Sequence, residues 1–288
     1  MVVDVGRGEP VVLIPGLQGR WEWMAPAVDA LARRHRVITY SLCDEPTSGF
    51  PCDLARGFET YVDQARLALD RAGLASATLV GVSYGGLIAA EVAARMPDRV
   101  SRLVLASALP VGWQPDARAK FYLRAPRLLS PLFVITSPGR LQPEVSAAFP
   151  RWRSRLRFMV THGRRVLTAP MSPARMARRI AWMSAHRFAD PARIQSPTLV
   201  MTGEPGLDRV VPIEVSRRIL ERIPDARHVL LPRTGHIGLV TRPDVFADTI
   251  DTFVAGGDDI TAAASARPSA RPETTVSLAT PGSTGSAW

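Results

Sequence analysis

Short apolar runs alternate with longer amphipathic segments along the first 109 residues of the chain. An apolar run of four to six residues between turn signals is typical of a strand that is buried on both faces. Such runs predict strands at residues 11–14, 36–40, 77–80 and 103–105, and apolar residues at spacings of three and four predict helices at 23–34, 58–72 and 87–95. This alternation predicts an α/β fold with a mostly parallel, doubly wound sheet.

The pattern changes at Pro110 and returns near residue 196. Residues 110–195 contain many prolines and helical periodicity, as at Trp152, Leu156 and Met159, but no run that favours a strand. Strands at 198–202 and 227–231 and helices at 213–222 and 243–254 then follow. We therefore predict one core made of residues 1–109 and 196–255, with residues 110–195 as an inserted, mainly helical unit.

The C-terminal segment, residues 256–288, has a different composition. Of its 33 residues, 24 are Ala, Ser, Thr, Gly or Pro, which bury too little apolar surface to offset the entropy of ordering. A disordered tail is the prediction for this segment.

The net charge of +10 comes from the insertion, which has 16 basic residues and 3 acidic ones. Arginine-rich helices are usually solvated amphipathic helices, although the same charge would suit an anionic substrate or an acidic carrier protein. A single lysine, Lys120, and the absence of a nucleic-acid motif argue against nucleic-acid binding. No apolar run is long enough to span a membrane and no signal segment is recognisable, so we expect a cytoplasmic protein. The oligomeric state is not predicted.

The motif Gly81-Val82-Ser83-Tyr84-Gly85 follows a predicted strand and precedes a predicted helix. A serine at such a turn takes a strained backbone conformation that exposes its hydroxyl, and Gly81 and Gly85 leave room for the tight approach. Ser83 is therefore the candidate nucleophile. The alternative for the motif alone is an ordinary glycine-rich turn.

A serine nucleophile needs a base that takes its proton and an acid that orients the base. His236 follows the strand at 227–231, and Asp208 follows the strand at 198–202, so both lie on loops at strand ends. The chain order Ser, Asp, His is the order found with this type of turn. Glu204 is a rival for the acid, and a capping role is the alternative for Asp208.

The negative oxygen formed by serine attack needs two donors. Tyr84, directly after Ser83, supplies one backbone N–H. The loop Pro15-Gly16-Leu17 follows an early strand, and Gly16 permits a turn that would aim the Leu17 N–H at the site. An ordinary Pro-Gly turn is the alternative for this loop.

Together these residues resemble the α/β-hydrolase superfamily over about residues 11–254. The resemblance implies that the insertion is a cap over the active site, and we call residues 110–195 the cap. Many members have His-Gly in the loop after the early strand, whereas this chain has Pro15-Gly16.

The same resemblance implies a two-step acyl transfer through Ser83, Asp208 and His236, with no metal or organic cofactor. The expected substrate is a small molecule with a carboxylic ester, lactone or thioester bond. A cofactor-free lyase with the same triad, and a non-catalytic small-molecule receptor on the same fold, stay open as alternatives.

Overall fold

A seven-stranded sheet forms the centre of the computed structural model, which describes residues 2–115, 117–126, 128–257 and 260–265. The strands are β1 (Val2–Val5), β2 (Glu9–Ile14), β3 (His35–Tyr40), β4 (Ala77–Val82), β5 (Val100–Ala106), β6 (Thr198–Thr202) and β7 (Ala226–Leu230). Their order in the sheet is β1-β3-β2-β4-β5-β6-β7. Only the edge strand β1 is antiparallel to its neighbour. The predicted parallel sheet is confirmed.

Two apolar layers cover the sheet and bury its central strands on both faces. Along β2, Val12 and Ile14 pack in one layer and Val11 and Leu13 in the other. The helices of the first layer include α2 (Glu59–Arg71) and α3 (Tyr84–Arg95), and those of the second include α1 (Ala25–Leu31) and α10 (Pro243–Val254). Both faces of the central strands therefore exclude water.

Two elements of the core differ from the sequence prediction. Strand β1 was not predicted, because it is short and partly exposed, and it is fixed by pairing Val2 with Tyr40 on β3. Helix α8 (Ile213–Arg217) is shorter than the predicted 213–222. Its chain continues in tighter turns, with Ile219 N–H donating to the Ser216 carbonyl at 3.1 Å, ahead of Pro224.

The cap consists of helices inserted between β5 and β6. They are α4 (Ala117–Arg124), α5 (Ser130–Ala148), α6 (Trp152–Thr168) and α7 (Pro173–Ala185). At the start of α7, the Ser172 hydroxyl accepts a hydrogen bond from Arg175 N–H at 3.4 Å, as expected for a capping serine. The cap is therefore mainly helical, and its boundaries as a separate unit stay a prediction.

The predicted disordered tail contains one ordered element. Two short helices flank α10: α9 (Gly238–Thr241) precedes it and α11 (Ile260–Ser265) follows it. Helix α11 buries Ile260 and Ala264 in the second apolar layer. The prediction of disorder is wrong for these six residues because their two apolar side chains reach the core. The prediction also covers residues 258–259 and 266–288, which lie outside the described residues. Within the described part of the chain, no helix combines the length and apolar character needed to cross a bilayer.

Candidate active site

Ser83 lies at the sharp turn between β4 and α3, in the middle of the sheet. Its φ of 53° is in the left-handed region that a residue with a side chain rarely adopts. A hydrogen bond of 2.9 Å from Ser83 N–H to the Ala106 carbonyl ties the turn to β5. At Gly85, a Cβ atom would lie 2.5 Å from the Ile14 carbonyl oxygen. The structure therefore has the strained turn that the motif predicts.

The loop after β2 lies directly against this turn. A Cβ atom built on Gly16 would be 3.4 Å from the Cβ of Ser83. The Gly19 N–H donates to the Gly16 carbonyl at 2.9 Å, which closes a turn around Leu17. Leu17 and Tyr84, the two predicted donors to a negative oxygen, therefore lie on neighbouring segments beside Ser83.

His236 and Asp208 are paired on the loops after β7 and β6. The distance from His236 Nδ1 to Asp208 Oδ2 is 3.2 Å. The other carboxylate oxygen accepts from Val210 N–H at 2.9 Å and Val211 N–H at 2.8 Å, which fixes the orientation of Asp208. Glu204, the rival acid, instead accepts from Arg233 N–H at 2.8 Å. Of the two candidates, the structure therefore brings Asp208 to the histidine.

The charged forms of this pair stabilise each other. Burial lowers the pKa of His236, but Asp208 and then Glu144 outweigh it and raise the pKa above the ordinary value. Burial raises the pKa of Asp208, but His236 and the two backbone N–H groups outweigh it and lower the pKa. Asp208 is therefore ionised at neutral pH and favours a proton on His236. Among the described residues, no hydrogen bond joins the Ser83 hydroxyl to the His236 ring.

Glu144 of α5 is a buried carboxylate in this site that the sequence analysis did not single out. Its Oε2 accepts from Ile237 N–H at 3.0 Å, and its Oε1 accepts from the Thr241 hydroxyl at 3.1 Å. A Cβ atom on Gly235 would lie 2.8 Å from Oε2. The sequence does hold a signal, since Glu144 is the one acid between Asp116 and Asp190 in a basic segment.

Arg179 of α7 is a second buried charge that sequence reasoning missed. Its Nη1 donates to the Leu17 carbonyl at 2.7 Å, and its own carbonyl accepts from the Tyr84 hydroxyl at 3.1 Å. Its Nη2 pairs with Asp44 at 2.7 Å and Glu45 at 2.6 Å, where all three side chains are fully buried. Helix α7 thereby contacts Leu17 and Tyr84, the two predicted donors to the negative oxygen, which together form the predicted oxyanion hole.

Two neighbours of Arg179 also pair with these core carboxylates. Arg178 lies 3.1 Å from Asp44, and Arg175 lies 3.0 Å from Glu45. Part of the positive charge of the cap is therefore neutralised by the core. An anionic substrate would therefore have to bind arginines of the cap other than these three.

One cavity lies at His236, and a second lies beside α3. The smaller, about 10 Å³, has room for about one water molecule and is lined by His236, Ser107 and Gly203. The larger, about 540 Å³, lies between α3, residues 109–114 and the segment from α8 to residue 223. Its lining includes Leu87 and Ile219 but none of Ser83, Asp208 or His236.

A family model for the alpha/beta hydrolase fold matches residues 9–243. The chain belongs to this family. It is an α/β hydrolase, and the fold and membership predicted from the motifs are confirmed.

Relatives of this α/β hydrolase cover most of its length. RutD of Azorhizobium caulinodans, whose name assigns it carbamate hydrolysis, is 30% identical over 256 residues, which are 86% of this chain and 92% of RutD. The 2-hydroxy-6-oxo-2,4-heptadienoate hydrolase of Pseudomonas putida is 28% identical, over 88% of this chain and 92% of that enzyme. Among solved structures, the enol-lactonase of Burkholderia xenovorans superposes with a TM-score of 0.66 at 24% identity, over 88% of this chain and 96% of the lactonase. This last likeness concerns the fold.

Proposed function

We propose that this α/β hydrolase cleaves an ester-type carbonyl bond of a small molecule through an acyl-enzyme on Ser83. The observation that carries the proposal is the His236–Asp208 pair, held at the same edge of the sheet as the strained turn at Ser83. A histidine paired with a carboxylate, at the sheet edge that bears the serine, is the arrangement that activates a serine for attack on a carbonyl carbon. The name of one relative includes hydrolysis of a carbamate, which fits attack on a carbonyl carbon. The oxo-dienoate in the name of the other has no ester bond, so that relative supports hydrolase activity in general.

In the proposed first step, Ser83 Oγ attacks the carbonyl carbon and His236 Nε2 takes the hydroxyl proton. Asp208 stabilises the imidazolium through Nδ1, and the N–H groups of Leu17 and Tyr84 donate to the negative oxygen. The bond from the carbonyl carbon to the leaving oxygen, or to sulfur in a thioester, then breaks, and the leaving group receives the proton from His236. Water hydrolyses the acyl-enzyme by the same route, which returns Ser83 and releases the acid.

The His236 ring and the Ser83 hydroxyl must approach each other for this proton transfer. Catalytic hydrogen bonds are often long before substrate binds and shorten in the reactive complex. The first step therefore requires the His236 ring and the Ser83 hydroxyl to come within hydrogen-bond distance.

A fluorophosphonate probe tests the nucleophile directly. We expect wild type to be labelled on the peptide that contains Ser83, and Ser83→Ala to be unlabelled. Ser107→Ala is the matched control, because Ser107 also lies at a strand end with a positive φ and is 7% exposed, against 8% for Ser83. Unlabelled wild type, or equal labelling of Ser83→Ala, would contradict the proposal and favour a receptor on this fold.

A substrate panel tests the class of bond. It comprises p-nitrophenyl esters, lactones, acyl thioesters and aryl carbamates, each run with wild type and Ser83→Ala. We expect a burst of p-nitrophenol and a mass increase on the Ser83 peptide equal to the acyl group. Turnover without an acyl adduct, or a product that contains no added water, would overturn hydrolysis and favour a lyase.

The proposed substrate is a small acyl compound, and the cap would select it. Arg175, Arg178 and Arg179 already pair with Asp44 and Glu45, which weakens the case for charge steering by α7. Salt dependence decides the question. If anionic or carrier-bound substrates are steered, kcat/KM for an anionic ester falls with added NaCl, while that for its neutral analogue does not.

A further inference from the structure

We propose that Glu144 is a positioning residue through which the cap acts on His236. The inference rests on the proposed function, since it assigns a role beside the proposed catalytic base. Glu144 is fully buried, and it belongs to the cap helix α5, whereas His236 belongs to the core. The contact therefore joins two parts of the molecule that are far apart in sequence.

The contacts of Glu144 fix the loop that bears the histidine. One carboxylate oxygen accepts from Ile237 N–H, and the other accepts from the Thr241 hydroxyl at the end of α9. These partners lie one and five residues after His236, so the carboxylate binds the chain on the C-terminal side of the ring. At Gly235, a side chain would collide with the carboxylate and with the Leu207 carbonyl oxygen, which lies 2.5 Å from the Cβ position. Glu144 thus takes space that the loop leaves open for it.

The charge of Glu144 also acts on the ring. Among the described residues, the charged groups that face His236 are Asp208 from the loop after β6 and Glu144 from α5. Burial raises the pKa of Glu144 above its ordinary value, although the N–H groups of Ile237 and Gly235, the charge of His236 and the Thr241 hydroxyl oppose the rise. A second carboxylate beside the imidazole favours the imidazolium that forms when Ser83 attacks.

The consequence is that cap placement and catalytic basicity are coupled. When α5 is seated, His236 has two carboxylates and a higher proton affinity. If α5 moves away, the ring retains Asp208 but loses the second charge, and the Ile237 N–H and Thr241 hydroxyl lose their acceptor. Glu144 thereby links the position of the cap to the chemistry of the core.

Glu144→Gln separates the charge from the shape. A glutamine amide oxygen accepts from Ile237 N–H, and its NH₂ group donates to the Thr241 hydroxyl, so the loop keeps its hydrogen bonds. We expect the acid limb of kcat/KM against pH, which reports the proton lost from His236, to move to lower pH by about 1 unit. A uniform fall in activity at every pH, with the limb in place, would mean that Glu144 is merely structural.

Glu91→Gln is the matched control. Glu91 is another buried carboxylate, on α3, that pairs with His186 at 3.2 Å instead of His236. Glu91→Gln should leave the acid limb of kcat/KM at the same pH as in wild type. A shift as large as that of Glu144→Gln would overturn the specific link.

Titration of His236 by NMR, assigned with His236→Gln, gives the same information without turnover. If the ring pKa is lower in Glu144→Gln than in wild type, the inference holds even where the proposed ester chemistry fails. An unchanged ring pKa in a folded variant refutes it, whatever the activity. Should Glu144→Gln not fold, Thr241→Val is the second variant. It removes the hydroxyl that donates to Glu144, so less of the Glu144 carboxyl is ionised at the pH of the acid limb. We expect a smaller shift in the same direction.

Discussion

The backbone of Ser83 holds a conformation that costs about 1–3 kcal/mol, and the residues around it make that conformation possible. Gly81 and Gly85 have no side chain at the points where the turn meets α3 and the loop after β2. Ser83 itself is nearly buried, with 8% of its surface exposed, so the turn is packed closely on all sides. The strain is thus supported by packing.

At this scale we expect Gly85→Ala to lower the free energy of unfolding by about 2 kcal/mol or more, because its Cβ would meet the carbonyl oxygens of Ile14 and Pro15 at 2.5 and 2.6 Å. Gly163→Ala is the control. A Cβ there meets nothing within 4 Å in helix α6, so helix propensity should raise the stability by about 0.5–1 kcal/mol. Urea denaturation of both variants measures the difference, and equal effects would contradict the crowded turn.

The residues of the candidate site divide into those that the sequence predicts and those that it does not. Ser83, Asp208 and His236 each follow a strand within a short local motif, so one segment of sequence suffices to find each of them. Glu144 and Arg179 depend on partners 93 and 135 residues away. Nothing local distinguishes Arg179 from the other arginines of the cap, because its burial results from how α7 packs on the core.

Among the helices, α7 holds the cap to the core through a buried ion-pair network. Arg179, Asp44 and Glu45 are fully buried, so the loss of the arginine would leave two carboxylates without their central partner. We expect Arg179→Met to lower the free energy of unfolding by about 3–5 kcal/mol.

Arg178→Met is the matched variant for that experiment. Arg178 is next in sequence and binds the same Asp44, but its side chain is 36% exposed. We expect Arg178→Met to lower the free energy of unfolding, measured by urea denaturation, by at most about 1 kcal/mol. Equal losses for the two variants would show that the fully buried Arg179 adds no more than the partly exposed Arg178.

Helix α6 contacts the core through a histidine whose protonation should weaken the contact. The His162 ring stacks on Phe158 at 5.4 Å and meets Trp23 edge-on at 6.2 Å. Burial, and then Arg165, lower the pKa of His162 to about 4. The neutral ring therefore contributes stability above the unfolded pKa of 6.5, and this contribution is lost as pH falls toward 4.

We expect the Tm of wild type to fall between pH 6.5 and pH 4 more steeply than that of His162→Phe, which keeps an aromatic stack but cannot take the proton. Thermal melts at matched ionic strength measure the difference between the two proteins, and other titrating groups cancel in it. Parallel pH profiles would show that His162 does not titrate at this contact.

Over the whole molecule, the fold extends beyond the last helix that the sequence predicted. Helix α11 buries Ile260 and Ala264 in the layer that also holds α1 and α10. Composition averaged over residues 256–288 conceals these two positions, because 24 of the 33 residues belong to types common in disordered segments. The boundary of the folded unit therefore depends on two side chains and not on the average.

Two truncations locate that boundary. Removal of the residues after Ser265 should leave the free energy of unfolding unchanged, as the composition predicts. Removal of those after Gly257 should lower it by about 2 kcal/mol, since the burial of Ile260 is lost. The prediction is wrong if both truncated chains are as stable as the full chain.

The pairing of α7 with Asp44 and Glu45 also limits how this enzyme can be re-engineered. A cap transplanted from a relative to change substrate preference would need its own arginine at the position of Arg179. Otherwise the host core would keep Asp44 buried without its arginine partners, and Glu45 with only Arg20 at 3.8 Å. Chimeras should therefore exchange the cap and the loop after β3 as one unit. The parts of this protein that can be exchanged are defined by charge as much as by chain boundaries.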